Sequence, residues 1–131
     1  MTLSLAGISM AGLRRVVAVV DNDPGMLKAM RHLLHVFDYD TELYASGETF
    51  MSSAAASQAS CLLVDIQLDG MSGIELRRRL AACGFATPII FMTGSDNSVL
   101  LKEALKAGCV ALLRKPFPAS LLMDAIDQAL G

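Results

Sequence analysis

Four polar side chains stand where apolar runs end. Asp21 follows VVAVV (16–20), Asp65 follows CLLV (61–64), Thr93 follows PIIFM (88–92), and Lys115 lies just beyond VALL (110–113). Two acids at neighbouring strand ends would repel each other, so a hard cation is a fitting guest. Magnesium takes one or two carboxylates, keeps several waters and bridges to phosphoryl oxygens. A threonine hydroxyl can donate to such an oxygen, and a lysine places a point charge beside it. An aspartate carboxylate can attack phosphorus to give an acyl phosphate. A metal and a lysine offset charge on the transferred group, and phosphoryl transfer asks for little more. The set points to phosphoryl handling on a carboxylate.

The elements that must position these residues follow from pattern. Val16 to Val20 is a continuous apolar run, as a strand buried on both faces should be. Pro24 suits the first turn of a helix, with Asp23 capping it, and Met26, Leu27, Met30, Leu33, Leu34 and Phe37 recur at helical spacing. Short strands are expected near Thr41–Tyr44, Cys61–Val64, Pro88–Met92 and Val110–Leu113. Between them lie a weaker helix from Ser46 to about Ala56, a helix capped by Ser72 with Glu75 at capping-box spacing, and a helix through Leu100–Ala107 stopped by Gly108 in the left-handed α conformation. Leu121 to Leu130 closes the chain as a helix. The alternation is βα five times over. Short loops and right-handed crossovers then imply one parallel sheet with helices on both faces, an α/β doubly wound fold. Such sheets bind ligands beyond the carboxyl ends of their strands. Asp21, Asp65, Thr93 and Lys115 can therefore converge on one crevice.

Composition agrees. The 131 residues suit one domain, 53% hydrophobic and 18% charged, with net charge −2, which gives no bulk attraction for nucleic acid. The three cysteines have no metal-ligand spacing and read as reduced in a cytoplasmic setting, with Cys61 and Cys109 as small buried hydrophobes opening strands. Residues 1–14 read as a flexible leader and 15–131 as the domain. The apolar stretch before Arg14-Arg15 lacks the basic start of a signal peptide, and nothing here is expected to span a membrane. His32 and His35 at i,i+3 read as ordinary helical histidines. The run Arg77-Arg78-Arg79 reads as a solvated face.

Over about residues 15–130 the chain resembles the receiver domain of two-component response regulators. VVDND, LLVDIQLDGMSG, PIIFMTG and ALKAGCVALLRKPF carry the resemblance, in order and on expected strand ends. It implies a CheY-like, flavodoxin-like five-stranded sheet of order 2-1-3-4-5. It implies a signalling module rather than an enzyme, one that takes a phosphoryl group from a sensor histidine kinase or phosphotransfer protein. Asp65 would be the phosphoacceptor. Asp21, Asn22, Asp65 and the backbone carbonyl of Gln67 would hold Mg2+, and Thr93 and Lys115 would contact the phosphoryl group. Lys115-Pro116 matches a usually cis bond. An output domain or partner would meet Val99–Ala107, Leu112 and Ala119–Leu130.

This sequence departs from the family pattern at three places. Asn22 replaces a second acid, Asp69 adds a charge where Met-Pro-Gly is common, and Leu112 replaces a switch aromatic. These departures motivate a second reading, a pseudo-receiver that binds partners without being phosphorylated. A third reading is an Asp-x-Asp phosphatase built on Asp21 and Asp23, with Thr93 and Lys102 or Lys115. Against it, Gly25 replaces the expected Thr or Val, no acidic pair follows the lysine, and Asp65 is left unexplained.

Overall fold

A computed structural model describes residues 14–131. The expected leader lies outside these residues except for Arg14. That side chain donates to Asp38 Oδ1 at 3.1 Å and approaches Asp40 Oδ1 at 3.7 Å, with His35 Nδ1 2.9 Å away.

Five strands form one parallel sheet: β1 (Val16–Val20), β2 (Asp40–Tyr44), β3 (Cys61–Asp65), β4 (Ile89–Thr93) and β5 (Ala111–Arg114). Their order is β2-β1-β3-β4-β5, all pairs parallel. The helices between them are α1 (Pro24–Val36), α2 (Gly47–Ser53), α3 (Gly73–Ala82), α4 (Ser98–Ala107) and α5 (Ala119–Leu130), and a 3-10 turn over Ala54–Ala56 extends α2. This is the doubly wound α/β fold expected from the βα count.

The central strands β1, β3 and β4 alternate their side chains between two cores. Ala18, Val20, Leu62, Val64, Ile89 and Phe91 face Phe50, Leu76, Leu80 and Ala104 of α2, α3 and α4. Val17, Val19, Leu63, Ile90 and Met92 face Leu34, Leu122 and Ile126 of α1 and α5. Both faces are covered, which is why the strands read as unbroken apolar runs.

Strand ends shift by one residue from the apolar runs. Pro88 lacks an N–H and contributes only its carbonyl, to Leu62 N at 2.9 Å, while β4 runs on through the polar Thr93, whose carbonyl accepts from Lys115 N at 2.8 Å. Cys109 precedes β5 instead of opening it; Cys61 does open β3, and burial pushes its thiol up to about 12. Gly108 ends α4 with positive φ (98°), but its ψ of 120° is not the expected left-handed α value. Arg77 is half-buried and donates from Nε to Gly108 O at 2.9 Å, so only Arg78 and Arg79 keep the solvated role expected of the run.

Helix caps follow the sequence. Asp23 Oδ1 accepts from Gly25 N at 2.9 Å ahead of Pro24, and Ser72 Oγ accepts from Glu75 N at 3.1 Å. The Ser72 cap sits against the end of β3. A Cβ on Gly73 would lie 2.3 Å from the Asp65 carbonyl oxygen and 2.9 Å from Ile66 Cα, both backbone atoms with no room to yield. Gly73→Ala is expected to cost about 3 kcal/mol of stability by overpacking. Gly94→Ala, where nothing lies within 4 Å of the added carbon, should stay within about 0.5 kcal/mol. Urea unfolding of the two variants checks both.

Candidate functional site

The strand order reverses on either side of β1, so the crevice expected in such sheets opens at the carboxyl ends of β1 and β3. Asp21 follows β1, Asp65 ends β3, Thr93 ends β4 and Lys115 follows β5. All four meet there. Asp21 and Thr93 are fully buried, and Asp65 is 6% exposed. These are the three buried polar residues among the described ones. Such burial is costly unless the groups are paired.

The pairing centres on Lys115. Its Nζ donates to Asp21 Oδ2 at 2.8 Å and to Asp65 Oδ2 at 2.7 Å. The other carboxylate oxygens accept backbone N–H groups two residues on: Asp23 N to Asp21 Oδ1 at 2.9 Å, and Gln67 N to Asp65 Oδ1 at 2.8 Å. Each acid thereby folds its own following loop. Thr93 Oγ1 accepts from Ser95 N at 3.0 Å and donates to Gln67 Oε1 at 3.3 Å. The Lys115–Pro116 peptide is cis, and Lys115 N bonds Thr93 O.

Asn22, next to Asp21, bonds to a residue the sequence pattern does not link to it. Its Nδ2 donates to Asp69 Oδ2 at 3.0 Å, between two exposed side chains 47 residues apart. Glu48 was also missed. Its Oε2 accepts from Met71 N at 3.0 Å and so ties the start of α2 to the β3–α3 loop. No local periodicity signals either contact.

Other sequence candidates lie elsewhere. Lys102 is exposed on α4, Asp23 is used as a cap, and His35 is held by Arg14. Among the described residues no three His, Cys, Asp or Glu side chains converge as a metal cage. What converges is a carboxylate pair, Asp21 and Asp65, with Asn22 and Gln67 in the loops that follow them. A site with two carboxylates fits magnesium chemistry.

The electrostatics reflect one cation shared by two anions. Burial raises the Asp65 pKa; the Lys115 hydrogen bond, the Gln67 N–H and the Lys115 charge lower it, the Asp21 charge raises it again, and the net is upward from 3.8. For Lys115, burial lowers the pKa, but hydrogen bonds to Asp21 and Asp65 and their charges outweigh it, and the net is upward from 10.5. The directions are compatible. Lysine gains from two carboxylates, whereas Asp65 receives part of one ammonium and feels Asp21 as well.

These residues sit in a chain that belongs to a known family. Residues 17–127 match the response regulator receiver domain, the signalling module of two-component systems, and the chain is a member. It is 32% identical over 115 residues to the response regulator protein TodT of Pseudomonas putida, covering 88% of this chain and 51% of TodT. It is 31% identical over 114 residues to the transcriptional regulatory protein FixJ of Bradyrhizobium diazoefficiens, covering 87% and 56%. The chain thus spans about half the length of these curated relatives. Among solved structures it resembles response regulator StyR, with TM-score 0.82 and 36% identity over 89% of this chain and 59% of that one. It also resembles FixJ-N, with TM-score 0.83 and 29% identity over 88% and 93%. The sheet order expected from the family resemblance is the one observed. No described helix is long and apolar enough to cross a membrane.

Because its folded-state pKa is raised, Asp65 binds its proton more tightly in the folded chain than in the unfolded one. Its contribution to stability is complete below the ordinary carboxylate pKa and is lost as pH rises through the raised value. Asp65→Asn is therefore expected to be more stable than the parent at pH 7, on the order of 1 kcal/mol, as relief of unfavourable active-site charge commonly is. The gap should narrow as pH falls toward the ordinary carboxylate range. Urea unfolding from pH 7 to pH 4 measures it.

Proposed function

We propose that this domain accepts a phosphoryl group on Asp65 from a sensor histidine kinase or phosphotransfer protein and, once modified, shifts an output surface. The observation that carries the reading is the shared ammonium: Lys115 Nζ stands 2.7 Å from Asp65 Oδ2 and 2.8 Å from Asp21 Oδ2 in a crevice at the strand ends. A buried carboxylate at a strand end, with a lysine, a second acid and a buried threonine hydroxyl around it, is equipped for phosphoryl chemistry.

In the transfer, an Asp65 carboxylate oxygen supplies the electron pair that forms the new O–P bond. The P–N bond of the donor phosphohistidine breaks, and its electron pair returns to the imidazole nitrogen. The product is an acyl phosphate on Asp65. Lys115 then shifts from bridging two carboxylates to neutralising the phosphoryl oxygens. Thr93 exchanges its Gln67 contact for one to a phosphoryl oxygen. Asp21, Asn22, Asp65 and the Gln67 carbonyl would hold Mg2+, which would supply neutralisation of charge on the transferred group. Lys115 and Thr93 start from β5 and β4, so their movement is felt at the edge formed by α4, β5 and α5. Val99, Leu105 and Leu121 present apolar side chains to solvent on these helices, with Val99 66% exposed, as a docking face would. A change in population between two arrangements of this edge would carry the signal.

Incubation with acetyl phosphate and magnesium, followed by intact-mass analysis, tests the reading. A single magnesium-dependent phosphoryl adduct is expected on the parent and none on Asp65→Asn. Absence of an adduct on the parent at high magnesium would favour the pseudo-receiver. Phosphate release that survives Asp65→Asn but requires Asp21 would favour the phosphatase.

A further inference from the structure

Asn22 sits beside Asp21, where a neutral amide is a weaker magnesium ligand than an acid. Its carboxamide is nevertheless held in one orientation. Nδ2 donates to Asp69 Oδ2 at 3.0 Å. The reverse orientation would set Oδ1 against a carboxylate oxygen and is repulsive. The bond therefore leaves Oδ1 on the other branch of the planar amide, bonded to no described residue. A carboxylate accepting from the amide N–H also draws electron density toward Oδ1 and makes that oxygen a better donor. Carboxylates behind metal-ligating histidines act in this way, fixing orientation and raising basicity.

Asp69 is itself placed with care. Leu68 and Met71, on either side of Asp69-Gly70, are buried at 9% and 8% exposure. Gly70 has φ of 70°, and a Cβ there would lie 2.5 Å from Glu48 Oε2, the same oxygen that accepts from Met71 N. The tip of the loop is pinned from both sides and presents Asp69 toward Asn22.

We propose that Asp69 is a positioning residue for the magnesium site: through its hydrogen bond to Nδ2 it orients and polarises the Asn22 carboxamide, so that Oδ1 can act as a ligand in place of a second acid. The inference rests on the magnesium-site reading above. Asp69 acts through Asn22 and is not itself a ligand.

A double-mutant cycle on the unphosphorylated domain tests it, with magnesium affinity measured by calorimetric titration and folding checked by thermal melts. Asp69→Ala is expected to raise the magnesium Kd about tenfold, the low end for a lost outer-shell partner. In an Asn22→Ala background the same change should move Kd less than about twofold, because the two act as one unit. Asp69→Asn, which keeps an acceptor oxygen, should fall between parent and Ala. Equal losses in both backgrounds would reveal a simple field effect and overturn the proposal, as would an unchanged Kd in Asp69→Ala. A parent that binds no magnesium, or binds it regardless of Asp65→Asn, would instead overturn the magnesium-site reading, and the proposal with it.

Discussion

One ammonium between two carboxylates is the contact on which this architecture turns. Lys115 lies 94 residues from Asp21 and 50 from Asp65, yet its Nζ touches both. The three can meet only if β1, β3 and β5 end at the same rim of one sheet, with β4 between β3 and β5. Without the lysine, two acids with little or no exposure would face each other across a poorly solvated gap. Burial above all, with the Asp21 charge added, outweighs what Lys115 gives Asp65, so its carboxyl stays raised while Lys115 is firmly charged. On the proposed reading, the site gives up stability for reactivity.

The two apolar cores supply the rigidity that lets such a site persist. The three central strands, β1, β3 and β4, are sealed on both faces, so little can relax beneath the rim. The loops above it are built by the acids themselves: Asp21 and Asp65 each accept the N–H two residues on. Gly73 brings the N-terminus of α3 against the Asp65 carbonyl, so the end of β3 is held by backbone packing as well as by charge. On the proposed reading the side chains that move are Lys115 and Thr93. Thr93 holds a long 3.3 Å bond to Gln67 that another acceptor could replace.

What could be read from the sequence follows from how each feature is encoded. Strand ends are legible because a polar residue closing an apolar run is costly unless it is used, and this identifies Asp21, Asp65, Thr93 and Lys115 together. Caps are legible because Asp23 and Ser72 act within three residues. The Asn22–Asp69, Glu48–Met71 and Arg77–Gly108 contacts are not legible. Each joins groups 23 to 47 residues apart, in loops or on helix faces with no periodic signal. Arg77 illustrates the failure: an arginine run looks the same whether one member reaches a carbonyl on the next element or not. The one-residue shifts at β4 and β5 have the same origin, since ladder hydrogen bonds continue through Thr93 and Arg114 after hydrophobicity has stopped.

Charge also suggests why a neutral residue at position 22 is compatible with phosphoryl chemistry. Asp21, Asp65 and Lys115 together carry one net negative charge at neutral pH. On the proposed reading, the acyl phosphate removes the Asp65 charge and adds roughly two negative charges, so the modified cluster carries about two before any metal. One divalent cation brings that sum to zero. A second acid at position 22 would leave an excess negative charge inside the crevice after modification. Asn22 avoids it, and Asp69 keeps its own charge outside, on an exposed loop, reaching the site only through an amide. Metal attraction before phosphorylation is weaker than with three acids, whereas repulsion afterwards is smaller. On the proposed reading, the pair at 22 and 69 would thus shift the electrostatic balance of the site toward the phosphorylated form.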